Sequence, residues 1–340
     1  MSNEPFVKET VFGSKAERAV YKALNTRWRD KFHLFPSLPF ANVINFERVN
    51  LTQKEKEFLF KTSVDFTLCD KETYRPFLSI DFDGMGRGFS RNGEYVEILP
   101  SDDKYRKLKF NLKLKIAEQA HYNYFIVSYR ETENLDPNLH LTIVDGIIGK
   151  ILARDNLNKI LQERGEELNR MIEDLSPFIE KEIIIDDWFT EREIETEAEY
   201  NPIFRKELEL EEELHKNGII DWWKKYEPIN ERSIPISIFD HDFENRIGIL
   251  REPTWIGWKV TLNWVKIERE EAIREYSYNE DGGIKIKLNN KTIRFRPEEL
   301  KSVEKSILIR NIGLFSASLS LDIAKVLALN EIRKLEGITN

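Results

Sequence analysis

Apolar residues recur at two different periods along this chain, and the changes of period mark out its elements. Ala16, Val20, Ala23, Leu24 and Trp28 follow helical spacing and predict a helix over 14–29. Residues 33–46 carry Pro36 and Pro39 and read as short extended pieces, since proline removes a backbone donor. SVDFTLC (63–69) and FLSIDF (77–82) read as strands joined by the polar turn DKETYRP. A Lys- and Leu-rich stretch, 102–121, predicts a helix. YFIVSY (124–129) predicts a strand buried on both faces.

Beyond residue 136 the pattern becomes helical. Residues 141–175 predict one long helix, and acidic helix continues to about residue 225. Strands are expected at 234–239 and at the Trp-rich 254–265. A hairpin is expected from 273–278 and 284–288 around Glu280-Asp281-Gly282-Gly283, with a further short strand at 293–295. Residues 314–335 predict an amphipathic helix. No internal repeat or low-complexity linker is visible. The sharpest change of character, near 132–140, divides the chain into a mixed α/β part (1–135), an acidic helical region (136–230) and a C-terminal α+β region (231–340).

Hydrophobic residues make up 41% of the 340 positions, with 21 Phe, 11 Tyr and 7 Trp, enough apolar surface to exclude global disorder. The formal net charge of −8 argues against a general nucleic-acid coat protein. Its distribution is uneven. Residues 163–213 hold 19 acidic and 6 basic side chains, net −13, so the rest of the chain is net +5. The acidic segment is either a solvated helical surface or a face for a protein partner. The lone Cys69 excludes a disulfide framework and a cysteine-rich metal site. MSNEPFVKET has no apolar core of a signal peptide, and no apolar run reaches the ~18 residues of a membrane span. The expectation is a soluble, cytoplasmic protein without membrane contact.

The chemistry concentrates in Val64-Asp65-Phe66 and Ile80-Asp81-Phe82-Asp83-Gly84. Strand side chains alternate, so Asp81 and Asp83 share a face. A hairpin turn centred near Thr73 sets Asp65 opposite Asp81, with Cβ atoms ~5 Å apart. Three carboxylates thus fall on one face of one hairpin. Such like charges repel unless a cation lies between them, and Mg²⁺ or Mn²⁺ with oxygen ligands supplies one. On this reading, replacing one repelling carboxylate by Ala leaves the metal-free protein no less stable. Glu17 is a fourth candidate, although Ser14-Lys15-Ala16-Glu17 also reads as a capping box.

Cations follow at once. Arg87 and Arg91 lie in the Gly-rich GMGRGFSRNG. Lys104, Arg106, Lys107, Lys109, Lys113 and Lys115 form a helix with no acid from 104 to 117. On a helical wheel Leu108, Leu112 and Ile116 make the apolar stripe, flanked by Lys109 and Lys113. Such a basic helix suits phosphate-backbone contact; it also suits plain solvation.

This order of residues resembles the PD-(D/E)XK nuclease superfamily, and more narrowly its restriction-endonuclease-like branch related to very-short-patch-repair endonucleases. The resemblance covers residues 10–130. Asp65 falls on the shared metal-binding Asp, Asp81 on the D/E position, and Asp83 where classical members keep Lys. Glu17 falls on the first-helix Glu. Arg87 stands in place of a His, and Asp103 with Arg106 and Lys107 resembles the R-D-x-x-K helix. The resemblance implies a mixed sheet flanked by helices, with a helical and β accessory region after it. It also implies Mg²⁺- or Mn²⁺-dependent endonuclease chemistry on DNA. The implied catalytic set is Asp65, Asp81, Asp83, Glu17, Lys107 and Lys109, the three aspartates holding the metal. Arg87, Arg91, Lys104, Lys107, Lys109 and Lys113 would bind nucleic acid. The alternative is a catalytically silent nucleic-acid-binding or assembly subunit on the same fold.

Other chemistry is sparse. The five histidines lie far apart without metal-ligand spacing, and Asp240-His241-Asp242 is an isolated cluster. Trp255, Trp258 and Trp264 fit either a strand core or base stacking.

Overall fold

A computed structural model of the chain describes residues 12–83, 104–173, 178–229, 255–267, 273–278, 284–288, 292–310 and 315–338. The strand expected at 234–239, the cluster Asp240-His241-Asp242, the turn at 280–283 and the loop carrying Arg87 and Arg91 lie outside these described residues.

The N-terminal part is a four-stranded mixed sheet flanked by helices. Helix α1 (Lys15–Trp28) is capped by the Ser14 side chain, which accepts the Glu17 backbone N–H, and it buries Val20, Leu24 and Trp28. Strand β1 (Phe32–Pro39) gathers the expected extended pieces into one element. A short helix α2 (Gln53–Leu59), opened by a Thr52–Glu55 capping box, was not evident from the apolar pattern. Strands β2 (Ser63–Asp70) and β3 (Pro76–Phe82), helix α3 (Lys104–Gln119) and strand β4 (Asn123–Val127) follow close to their expected places. The spatial order is β1-β2-β3-β4. The first two pairings are antiparallel, and β3 with β4 is parallel, as a strand–helix–strand crossover requires.

The two faces of this sheet bury different cores. Phe66, Leu68, Leu78, Ile80, Phe82, Phe125 and Val127 meet α1. Tyr124 meets Leu112, Ile116 and Ala117 of α3 and Phe40 on the other face. The first core continues into the rest of the chain. A short helix α4 (Tyr129–Thr132) leads to the long α5 (Ile143–Glu173), whose Ile147, Ile148 and Ile151 join it. Asp145 of α5 ties the parts together: its Oδ1 accepts the Trp28 indole N–H at 2.9 Å and lies 3.1 Å from Arg27 Nε.

Helices α6 (Phe178–Tyr200) and α7 (Pro202–Lys216) complete the acidic helical region. The helix expected to reach residue 225 ends earlier, because α7 is closed by Asn217 and by Gly218 at a left-handed φ of 74°. Glycine adopts that conformation without the steric cost a Cβ brings, and the Gly218 backbone lies directly against the Ile267 carbonyl, leaving no room for one. The chain re-emerges as strand β5 (Ile219–Pro228), paired with β6 (Trp255–Lys266). Strand β10 (Lys301–Arg310), absent from the expectations, pairs with the other edge of β6. Helix α8 (Ser316–Leu335) packs on this sheet through Leu319, Ile323 and Val326. Strands β7 (Ile273–Tyr278), β8 (Ile284–Leu288) and β9 (Thr292–Phe295) form the expected hairpin and its extension. Trp264 is buried and donates from Nε1 to Glu336 at 2.8 Å, so it serves the core rather than a base-stacking surface. No helix among the described residues is long and apolar enough to cross a membrane.

Candidate functional site

The turn between β2 and β3 fixes the position of the aspartates. Asp70 Oδ1 accepts the backbone N–H of Glu72 at 3.1 Å and of Thr73 at 2.8 Å, and the Thr73 hydroxyl at 2.7 Å. A side-chain-capped turn of this kind is a local device that aspartate favours. It sets the register Leu68↔Leu78, Thr67↔Ser79, Phe66↔Ile80. One step further along that register come Asp65 and Asp81. The ladder does not continue there; the two carboxylates take over its hydrogen bonds. Asp81 Oδ1 accepts the Asp65 backbone N–H at 3.1 Å, and Asp65 Oδ2 accepts the Phe82 backbone N–H at 2.7 Å. The expected opposition of Asp65 and Asp81 is thus present.

The two residues differ sharply in surroundings. Asp81 is fully buried. Its Oδ2 accepts from the Lys113 ammonium at 2.6 Å and from the Tyr124 hydroxyl. Lys113 also donates to the Ser63 carbonyl at 2.5 Å and lies 5.7 Å from the Phe40 ring centroid. Burial pulls the Lys113 ammonium below its usual pKa, and Asp81 opposes that shift. Burial, then the Asp81 charge, pushes the Tyr124 hydroxyl well upward, so it stays a donor.

Asp65 is half-buried, and among the described residues its carboxylate has no ion-pair partner. Among the described residues the Phe82 N–H is the one donor on its carboxylate. Burial, and then the Asp81 charge, raise the Asp65 carboxyl to about 6. Glu17 adds to this rise, while the Phe82 N–H and the Lys109 ammonium oppose it. Glu17 and Lys109 therefore both lie within electrostatic reach of Asp65.

Tyr124 arrives at Asp81 through the end of α3. His121 takes a left-handed φ of 48°, and the Tyr122 N–H returns to the Ala117 carbonyl at 2.8 Å. This reversal starts β4 so that Tyr122 and Tyr124 face α3. Tyr122 OH lies 2.9 Å from Ser79 Oγ, which lies 2.9 Å from Thr67 Oγ1. A polar stripe, Thr67–Ser79–Tyr122, thus runs beside the aspartates on that face.

Several expectations change here. Among the described residues no group of three or more Asp, Glu, His or Cys side chains is arranged to hold a metal ion. Asp83 is nearly buried, and its backbone N–H donates to the Val127 carbonyl at 2.7 Å, extending the β3–β4 pairing. Glu17 does not close the expected capping box on the Ser14 N–H: its Oε2 accepts the N–H of Gly13, one residue before the cap, at 2.9 Å and its Oε1 the Ser14 hydroxyl at 3.2 Å. Lys113, expected on a solvated nucleic-acid-binding face, has no solvent exposure. The apolar face of α3 is rotated from the wheel: Leu108 is exposed, while Phe110, Lys113, Leu114 and Ala117 turn inward with Leu112 and Ile116. Lys109 stays partly exposed, 4.9 Å from the Phe110 ring centroid, and the partly exposed Lys115 pairs with Glu55 at 3.1 Å. The side chains of Lys104, Arg106 and Lys107, and all of Arg87, Arg91 and Asp103, lie outside the described residues.

Two members of the site were not expected from the sequence: Tyr124, and Lys113 as the partner of Asp81. The signal was present: Lys113 has Phe110 three positions before it, with Ile116 and Ala117 three and four after, so it sits at the centre of an apolar helix face.

Among known proteins, residues 8–96 match a family model described as "Protein of unknown function (DUF2726)". The matched stretch contains Glu17, Asp65, Asp81 and Asp83 and ends before α3. No curated protein and no solved structure matches the chain.

Proposed function

We propose that the chain is a metal-dependent endonuclease of the PD-(D/E)XK, restriction-endonuclease-like kind, acting on DNA. The observation that carries this reading is the pair Asp65–Asp81. Two carboxylates lie in hydrogen-bonded register where the β2–β3 ladder gives way, and one of them, Asp65, has no ion-pair partner among the described residues and is raised to about 6. Asp is disfavoured in strand interiors, and a buried carboxylate with no cation destabilises the fold. Such a group is more often found where a site needs it.

The residues suit Mg²⁺ or Mn²⁺. Asp65 offers a hard oxygen donor, and the Asp81 carboxylate beside it keeps an unfilled acceptor direction on Oδ1. When bound, the ion would supply activation of water and stabilisation of charge on the phosphate. The chain's own groups do the remainder. Asp81, held by Lys113 and Tyr124, fixes the local frame. Lys109, partly exposed and within electrostatic reach of Asp65, would meet a phosphate oxygen. Lys107 precedes it by two residues on α3. The basic helix and the Arg87–Arg91 loop would track the backbone of the nucleic acid, and the acidic segment 163–213 remains the proposed face for a protein partner.

A second reading, a silent nucleic-acid-binding or assembly subunit on the same fold, rests on the Lys113–Asp81 pair, because a lysine already neutralises one of the aspartates. Cleavage decides between them. Labelled single- and double-stranded DNA should be cut with Mg²⁺ or Mn²⁺ and spared with EDTA. Asp65→Asn should abolish cutting while melting no lower than wild type. A wild-type protein that binds DNA without cutting it under any of these conditions supports the silent reading.

A further inference from the structure

We infer that the buried charge network joining α5, α6, α7 and α8 is a proton-operated clasp: Glu207 seats α7 on α8 while it carries a proton, and the contact loosens when that proton leaves.

The network draws its charges from four helices. Lys150 of α5 lies 2.9 Å from both Glu197 of α6 and Asp322 of α8. Three residues along α8, Lys325 lies 3.0 Å from Glu207 of α7. Asn201, the cap of α7, donates from Nδ2 to Glu197 Oε2 at 2.7 Å. Two more groups face the network: Glu211 acts electrostatically on Glu207, and the Tyr226 ring of β5 lies 5.7 Å from the Lys325 ammonium. The five charged side chains are withdrawn from solvent; Lys325, the most exposed of them, shows 19% of its surface.

The charges do not balance. Three carboxylates, Glu197, Asp322 and Glu207, meet two ammoniums. Lys150 spans two of the carboxylates, which leaves Lys325 to Glu207, with Asp322 also acting on it. A buried unmatched charge is costly. Glu207 is the member that can shed it. Its Oε2 is buried and has no hydrogen-bond partner among the described residues, so a proton there displaces no bond and turns an idle acceptor into a donor. Burial raises this carboxyl to about 7; Lys325 opposes the rise, and Asp322 and Glu211 reinforce it.

With Glu207 protonated the network is neutral. With Glu207 ionised it carries one surplus negative charge, which water entering between α7 and α8 relieves. Helix α8 is also packed on β6 and β10, so the opening falls on α7. A carboxyl raised in the folded state contributes stability that is present below its ordinary value and lost as pH rises through the raised one. The clasp is therefore closed at pH 5.5 and loosened at pH 8.5.

Amide hydrogen exchange of the full chain at these two pH values, corrected for the intrinsic pH dependence of exchange, tests this. Protection over residues 202–216 should fall about tenfold or more between pH 5.5 and 8.5 while α1 keeps its protection. Glu207→Gln, uncharged at both, should be protected equally at both. Equal wild-type protection of α7 at the two pH values overturns the inference. So does an equal fall in α1, which would be a loss of stability in the whole fold, or a fall in Glu207→Gln as large as that in wild type. If Glu207→Gln does not fold, the wild-type pair of measurements decides.

Discussion

The Lys113 ammonium lies 2.6 Å from Asp81 Oδ2, and neither side chain is exposed to solvent. This contact reverses an expectation drawn from charge pattern alone. Asp81 read as one of several repelling carboxylates whose removal would relieve strain. It is instead the carboxylate paired with a buried lysine among the described residues, and its loss removes that partner. Asp81→Ala should therefore lower stability by roughly 3–5 kcal/mol, the usual cost of breaking one side of a buried pair. The double variant Asp81→Ala with Lys113→Met should recover part of that loss. Chemical denaturation of the single and double variants checks both; a single variant as stable as wild type would mean that Lys113 finds another partner.

Asp65 carries the opposite sign. Its carboxyl is raised from its ordinary value near 3.8 to about 6, so the folded state disfavours its charged form. The penalty is absent below the unfolded pKa, grows as pH rises through this window, and is complete above it. Asp65→Asn should accordingly stabilise the metal-free protein at pH 7 and have little effect at pH 3.5. Melting temperatures in EDTA at both pH values measure this, and a variant that melts lower at pH 7 would assign Asp65 a structural role.

A second titrating group lies far from this site, among α5, α6, α7 and α8. Lys150 is 2.9 Å from both Glu197 and Asp322, and Glu207 pairs with Lys325 at 3.0 Å. Burial, which Lys325 opposes and Asp322 reinforces, raises Glu207 to about 7, and its Oε2 has no hydrogen-bond partner among the described residues. Stability contributed by protonated Glu207 should be present below about 4.5 and lost as pH rises to about 7. Glu207→Gln should flatten the stability profile across that interval. A profile of unchanged slope would show that Glu207 does not titrate there.

On α3 the nucleic-acid prediction narrows to Lys109. If the helix contacts phosphate, Lys109→Ala should weaken binding similarly across sequences and lower the salt slope by ~0.9 on duplex DNA or ~0.7 on single strands. Lys113 makes no such contact, being buried. Titrations over a salt series decide it, and an unchanged slope would place the basic contact elsewhere.

Much of the α/β part was legible because its signals are local. Helix α1 announced itself by spacing and cap, and β2 and β3 by composition. The Asp65–Asp81 opposition followed from a turn that Asp70 closes with its own side chain. The remainder depends on tertiary context. The amphipathic stripe of α3 was misplaced because a lysine can belong to a core once a carboxylate waits there. Strand β5 resembles helix in sequence, since Trp222-Trp223-Lys224-Lys225 follows an acidic helix without an evident break; the decisive signal is the single Gly218. Strand β10 alternates weakly, and its identity comes from its pairing with β6.

Asp65, without an ion-pair partner among the described residues, stands beside an Asp81 fixed by Lys113 and Tyr124. Anomalous scattering from crystals of the full chain soaked in Mn²⁺ tests the metal-dependent reading of this pair most directly. One peak at the Asp65 carboxylate, with Lys113 still on Asp81 Oδ2, is the predicted result. A crystal that shows no manganese at Asp65, or one in which Lys113 has left Asp81 for the ion, would contradict it.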